Sequence, residues 1–260
     1  MQITATNLIS LNDSRAETLQ AVVCALQIFN GFGFSYGLSG HITARDPEHT
    51  DIFWMNPLEI PFGDVRLSDL RPVLLSGEPL CGRGSVNDSG IELHAHIYER
   101  RRDVNSIVHV HCPYGKAFSS LRKELAPVTQ DACAFYEDHV LLNTFDGVAA
   151  DSGYGRLVAD TLGHRKAIIL ANHGFLTVGP TVEAASWWYL AMSDAARVQM
   201  LAGDLAVPLS KYIARRTAFQ IGGHKAGASN ARPMFNSIKQ QRSDLFDALP
   251  DLRSKKMAAE

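Results

Sequence analysis

The stretch IELHAHIYERRRDVNSIVHVHCP, residues 91–113, sets a helical period directly before a strand period. Its first half continues a helix that Ser89 and Glu92 open as a capping box and that runs to about Arg101. Its second half, Ser106–His111, is β-rich, and Pro113 fits the first turn of a further helix. Side chains alternate along a strand, so His109 and His111 share one face while Val108 and Val110 share the other. Two imidazoles about 7 Å apart along an apolar strand suit chelation of a divalent metal. The same spacing also suits a hydrogen-bonded pair of partly buried histidines.

Working outward, an amphipathic helix starts at a Ser14/Glu17 capping box, carries Leu19, Val22, Val23, Leu26 and Phe29, and stops at Gly31 and Gly33. Strands follow at His41–Ala44, Ile52–Met55 and 72–76. C-terminal to the quoted stretch, the pattern predicts a helix over 153–162, a strand Ala167–Ala171, a sharp Asn172-His173-Gly174 turn and a strand Phe175–Val178. Thr181 then opens a long helix with Val182, Ala185, Tyr189, Met192 and Ala196 on one stripe, and Trp187 and Trp188 on or beside it. Gly222, Gly223, Gly227 and Ser229 read as a flexible stretch, a short helix spans about 235–248 before Pro250, and Lys255–Glu260 reads as frayed. The alternation predicts one α/β domain over residues 1–205 with a C-terminal arm over 206–260.

The chain has 260 residues, 46% of them hydrophobic and 20% charged, which is enough to bury a core without disulfides or structural metal. A net charge of −2 gives no field for a phosphate backbone, so nucleic acid is not expected as a partner. No apolar run approaches the ~20 residues of a membrane span. The start, Met1-Gln2-Ile3-Thr4, lacks a basic, apolar leader. Cys24, Cys81, Cys112 and Cys133 are scattered, with no CxxC spacing. A cytoplasmic protein with reduced thiols is expected.

His173 follows one apolar strand as His109 and His111 end another, so adjacent strands would bring the three together. Together with GLSGHITARD (37–46) and AIILANHGFLTVG (167–179), the quoted stretch strongly resembles the class II aldolase/adducin family over residues 15–205. The resemblance implies a three-layer α/β/α domain around a mostly antiparallel sheet. It implies one divalent metal per chain on His109, His111 and His173, usually zinc; iron and manganese also suit three imidazoles. It also implies cyclic tetramers with sites at subunit interfaces.

The sequence departs from the family's sugar-phosphate aldolases. Their acid/base glutamate lies nineteen residues before the first metal histidine, and here that position is Gly90, with Asp88 and Glu92 two residues either side. Glu92 is the nearest replacement carboxylate, although it also serves the capping box. Positions matching the phosphate site are His41, Leu58-Glu59 and Asp88-Ser89, which places acidic groups where a dianion would sit. The expected substrate is a small unphosphorylated hydroxy- or oxo-acid, cleaved by a metal-dependent carbon–carbon lyase, decarboxylation being preferred to retro-aldol cleavage through a metal-stabilised enolate. An iron-dependent oxygenase acting on an aromatic hydroxy or keto acid is the second reading, and a non-catalytic adducin-like scaffold the third. Tyr136 is the candidate proton donor, and His41, Asn56, Ser89 and Gln130 are candidate substrate contacts. His94 and His96 are not expected as ligands, and Cys112 should face away from the metal.

Overall fold

The computed structural model describes residues 13–80, 86–145, 147 and 152–246. Cys81, the first four residues and the tail Lys255–Glu260 lie outside them.

Seven strands form one sheet in the order β3-β2-β1-β4-β7-β6-β5. They are β1 (His41–Arg45), β2 (Ile52–Met55), β3 (Arg71–Leu74), β4 (Ser106–Val110), β5 (His139–Leu142), β6 (Ala167–Leu170) and β7 (Gly174–Gly179). Only the β5–β6 pair is parallel; the other five neighbouring pairs are antiparallel. The sheet is therefore mixed and mostly antiparallel, as expected. Its registers give β4, β5 and β6 one direction and β1 and β7 the other, so one end of the sheet gathers the C-termini of the first three and the N-termini of the last two.

Strand parity sorts the core into two layers. Ile42, Ala44, Val108, Val110, Ile169 and Phe175 face α1 (Asp13–Gly31) and α5 (Val182–Ala202). Met55, Ile107, Leu170, Leu176 and Val178 face α2 (Asp88–Arg100) and α4 (Ser152–Leu162). The central strands are buried on both sides because a helical layer covers each face. His41 and His109 are cross-strand partners, so both lie on the α2 side of the sheet.

Both predicted capping boxes are corrected. Ser14 lies inside α1, and α2 is capped by Asn87, whose side chain accepts from the Gly90 amide. Asn87 has the extended backbone of a cap, one turn before Gly90. Helix α3 (Pro113–Ser120) does begin on Pro113, with the Cys112 thiol accepting from the Gly115 amide.

The segment that carries Gln130 and Tyr136 holds a 3₁₀ turn at Asp131–Phe135, and β5 follows it. The C-terminal segment is more helical than its composition suggests. Helix α6 (Lys211–Ile221) precedes α7 (His224–Gln241), which runs through the stretch read as flexible and contains Pro233. Ala231, Phe235 and Leu245 are buried in the same core as α1 and α5. Gly227 permits this contact, since a Cβ there would lie 2.7 Å from the Trp188 ring. Trp188 is fully buried, as a core residue should be.

Candidate metal centre

At the gathered end of the sheet, three imidazoles converge. His109 comes from inside β4, His111 from the first residue after it, and His173 from the tight turn between β6 and β7. The turn is possible because Asn172 takes a left-handed backbone with φ 58° and Gly174 has φ 151°. Arg122 donates to the Asn172 side chain at 2.9 Å and helps hold it.

One potential ligand nitrogen from each histidine lies within 4.8 Å of the others. His111 Nε2 and His173 Nε2 face each other at 3.1 Å. Two nitrogens on one tetrahedral zinc, each at about 2.05 Å, would be about 3.3 Å apart, so the present spacing needs little adjustment. His109 Nδ1–H donates to the Phe175 carbonyl at 2.8 Å, which leaves its Nε2 lone pair for a metal. Among the described residues, His173 Nδ1 is buried with no hydrogen-bond partner. The donor set fits a divalent ion with open coordination positions, the arrangement that three-histidine catalytic sites use.

The electrostatics keep these rings ready to ligate. Burial takes His109 well below the ordinary histidine range, with His173, His41 and His111 lowering it further. Burial likewise lowers His111, helped by Lys116. Burial brings His173 down to about 4, with His111 adding to the effect. Neutral imidazole is the ligating form, so no proton has to be displaced near neutral pH.

The family model for the class II aldolase and adducin N-terminal domain matches residues 20–200. The chain belongs to the class II aldolase/adducin family. It is 39% identical over 232 residues to a 4-hydroxy-3-prenylphenylpyruvate oxygenase/4-hydroxy-3-prenylbenzoate synthase of Streptomyces roseochromogenus, covering 88% of this chain and 84% of the relative. It is equally similar, 39% over 234 residues, to decarboxylase NovR of Streptomyces niveus, with 88% and 87% covered. Among solved structures, an L-fuculose 1-phosphate aldolase from Glaciozyma antarctica superposes with a TM-score of 0.82 at 37% identity, over 95% of both chains.

Of the other candidate residues, the structure brings His41 against the triad. His41 packs against His109 with ring centroids 5.0 Å apart. Gly90 is where that packing becomes possible: a Cβ there would lie 2.6 Å from His41 Cδ2 and 2.7 Å from the Met55 methyl. Ser89 precedes Gly90 in the first turn of α2 and is half-buried.

Glu92 does not reach the triad and is corrected. It points from α2 toward α4, where a Cβ on Gly155 would lie 2.9 Å from its Oε1. That oxygen sits 3.1 Å from His96 Nε2 as an ion-pair contact and makes no hydrogen bond among the described residues.

Asn56 uses its Oδ1 to accept from the Ile42 amide at 2.9 Å and its Nδ2 to donate to the Pro57 carbonyl, so it braces the strand beside His41. Tyr136 precedes β5 and thus belongs to the opposite end of the sheet within this chain, with Arg215 over its ring at 6.0 Å. Gln130 lines a separate groove of about 400 Å³ with Trp187 and Met234. Neither Tyr136 nor Gln130 joins the triad within one chain.

His96 faces Glu92 and Glu99. Cys112 lies in the core layer of α1 and α5, turned away from the triad as expected. Sequence reasoning left His94 as structural and missed Thr43 and Tyr98. All three are buried in one hydrogen-bonded row behind His41. The alternation of β1 and the i, i+4 spacing of His94 and Tyr98 were the available signals.

Proposed function

We propose that the chain is a metal-dependent carbon–carbon lyase acting on a small unphosphorylated hydroxy- or oxo-acid, with decarboxylation as its reaction. The observation that carries this reading is the three-imidazole cluster beside a position, Gly90, where an aldolase-type carboxylate is replaced by the edge of His41. His109, His111 and His173 would hold the ion. Once bound, a divalent ion supplies a Lewis acid that polarises a substrate carbonyl or hydroxyl.

Loss of carbon dioxide leaves an electron pair for a polarised carbonyl to take up, and no carbon-bound proton has to be removed first. Among the described residues no carboxylate joins the triad, which is compatible with decarboxylation and unfavourable for a deprotonating aldolase. Both Streptomyces relatives carry names that concern unphosphorylated aromatic acids or decarboxylation. The fuculose phosphate aldolase shares the fold, but here Glu59 and Asp88 occupy positions unsuited to a phosphate dianion. Tyr136 remains a candidate proton donor only if a neighbouring subunit supplies it. Glu92, turned toward α4, does not take that role.

A second reading is an iron-dependent oxygenase on an aromatic oxo acid, favoured by the activity for which one relative at 39% identity is named. We read the protein as a cytosolic homotetramer with zinc as the first choice of metal. Exposed Phe32, Tyr36 and Leu38, in the loop between α1 and β1, support self-association.

The test is a screen of aryl and aliphatic oxo acids with protein loaded separately with zinc and with iron. Carbon dioxide release without oxygen consumption, lost in His109→Ala, is expected. Coupled oxygen uptake with iron alone would replace the lyase by the oxygenase. Turnover of a sugar phosphate, or full activity in His109→Ala, would overturn the proposal.

A further inference from the structure

A polar row runs through the layer between β1 and α2: Tyr98 OH to Thr43 Oγ1 at 2.8 Å, Thr43 Oγ1 to His94 Nδ1 at 2.7 Å, and His94 Nε2 to His41 Nδ1 at 2.8 Å. All four residues are buried, His41 the least so at 3% exposure. Each contact needs one hydrogen and one lone pair, and the closed end of the row decides which side supplies which.

Among the described residues, Thr43 is the sole hydrogen-bond partner of the Tyr98 hydroxyl. That phenol must therefore donate, because the reverse arrangement would strand its hydrogen in the core at a cost of about 1–3 kcal/mol. Thr43, accepting from Tyr98, donates to His94 Nδ1. His94 then carries its proton on Nε2 and donates to His41 Nδ1. With Nδ1 occupied as an acceptor, His41 carries its proton on Nε2. The assignment follows from the contacts alone.

His41 Nε2 has no hydrogen-bond partner among the described residues, and it is not among the buried orphan atoms, so it keeps access to the open side. The atom bonded to it, Cδ2, is the one that rests over Gly90. The ring itself lies against His109, opposite it in the β1–β4 register.

We propose that His41 is a substrate-orienting hydrogen-bond donor, its Nε2–H aimed at an oxygen of an acid chelated at the triad, and that His94, Thr43 and Tyr98 are positioning residues that fix its tautomer and angle. Resting on the function proposed above, this deepens that reading by naming the recognised group. A carboxylate, carbonyl or enolate oxygen is accepted; a hydroxyl or amine that must donate at that point is disfavoured. Glycine at position 90 is part of the device, since any side chain there would displace the ring.

Two measurements test it. Long-range ¹H–¹⁵N spectra of histidine-labelled, metal-free protein should show both His41 and His94 as neutral Nε2–H tautomers. In Tyr98→Phe, where Thr43 is freed to accept or donate, the His41 pattern should lose that single form. A His41 carrying its proton on Nδ1 in the wild type would overturn the assignment.

The second measurement titrates zinc-loaded protein with oxalate, a planar chelating diacid, by calorimetry. Loss of one donor to a charged oxygen weakens binding by about 10- to 100-fold. His41→Phe is expected to show that loss at unchanged zinc content, and His41→Gln, which restores an N–H at a similar reach, is expected to recover most of it. Oxalate binding as tight in His41→Phe as in the wild type would refute the donor role. The tautomer spectra require no metal, so a failure of zinc uptake would strike the metal-centre reading while His41 is still judged on its own.

Discussion

His109 is set twice over. Its backbone is paired on both sides, to His41 in β1 and to Leu176 in β7, and its Nδ1–H is held by the Phe175 carbonyl. His111 and His173 are half-buried and closer to solvent, and their contact depends on the strained turn at Asn172. Their lowered affinity for protons fixes the sign of a pH effect. In the metal-free protein the folded His173 titrates at about 4, below the ordinary 6.5, so the unfolded chain binds more protons between those values. Stability is therefore fully present above pH 6.5 and falls as pH drops toward 4, each tenfold difference in proton affinity between the two states being worth about 1.4 kcal/mol. Urea midpoints from pH 7 to 4 should decline in wild type and decline less in a His173→Asn variant, where His41, His94, His109 and His111 still contribute; an equal decline in both would contradict the assignment. At this scale the ligands were legible from residue order, because a two-residue period on a strand fixes a shared face. The His41–Gly90 contact was not, because it depends on which strands are neighbours and on how close α2 lies over them. Glu92 was misread for a related reason: proximity to Gly90 in sequence places it on a different face of the helix.

Helix α2 carries His94 to the site, and its start determines where His94 and Tyr98 sit along it. Asn87 caps it by accepting from the Gly90 amide, whereas Ser89 lies inside the first turn. Asn87→Ala should therefore cost about 1 kcal/mol, and Ser89→Ala well under that, by denaturant unfolding. Equal effects would restore the capping box read from sequence. That box was plausible because Ser and Glu three apart fit the signature, but an asparagine two residues earlier starts the helix by taking the Gly90 amide, which leaves Ser89 inside the first turn. The C-terminal helices illustrate the converse. Gly227, Ser229 and Pro233 argue against a helix by propensity, yet burial of Ala231 and Phe235 against the core overrides it. Lys166 locks this layer: its buried ammonium donates to the Ala134 and Gly222 carbonyls at 2.7 Å each and to Asp138 at 2.9 Å, beneath the Trp188 ring. Lys166→Met should leave two carbonyls without that partner and destabilise the protein by about 2–4 kcal/mol, seen as a lower thermal midpoint. A midpoint within a degree of wild type would show the lock to be dispensable.

For the molecule as a whole, one sheet end collects every candidate ligand and both helical layers exist to hold that end in register. The alternating period, the order of strands and helices and the three marker segments made this α/β frame readable from residues alone. The strand order was not readable, since it depends on long-range pairing, and with it went the placement of Tyr136 and Gln130. Both sit away from the triad within one chain, and β5, which separates Tyr136 from that end, has its own parallel register to β6. Among the described residues no helix is long and apolar enough to cross a membrane. In the function proposed here, His109, His111 and His173 hold one divalent ion. Elemental analysis of anaerobically purified protein beside a folded His173→Ala variant tests it most directly. One zinc or iron per chain is expected in the wild type, and its loss in the variant. No metal in the wild type after reconstitution, or equal metal in both proteins, would contradict it.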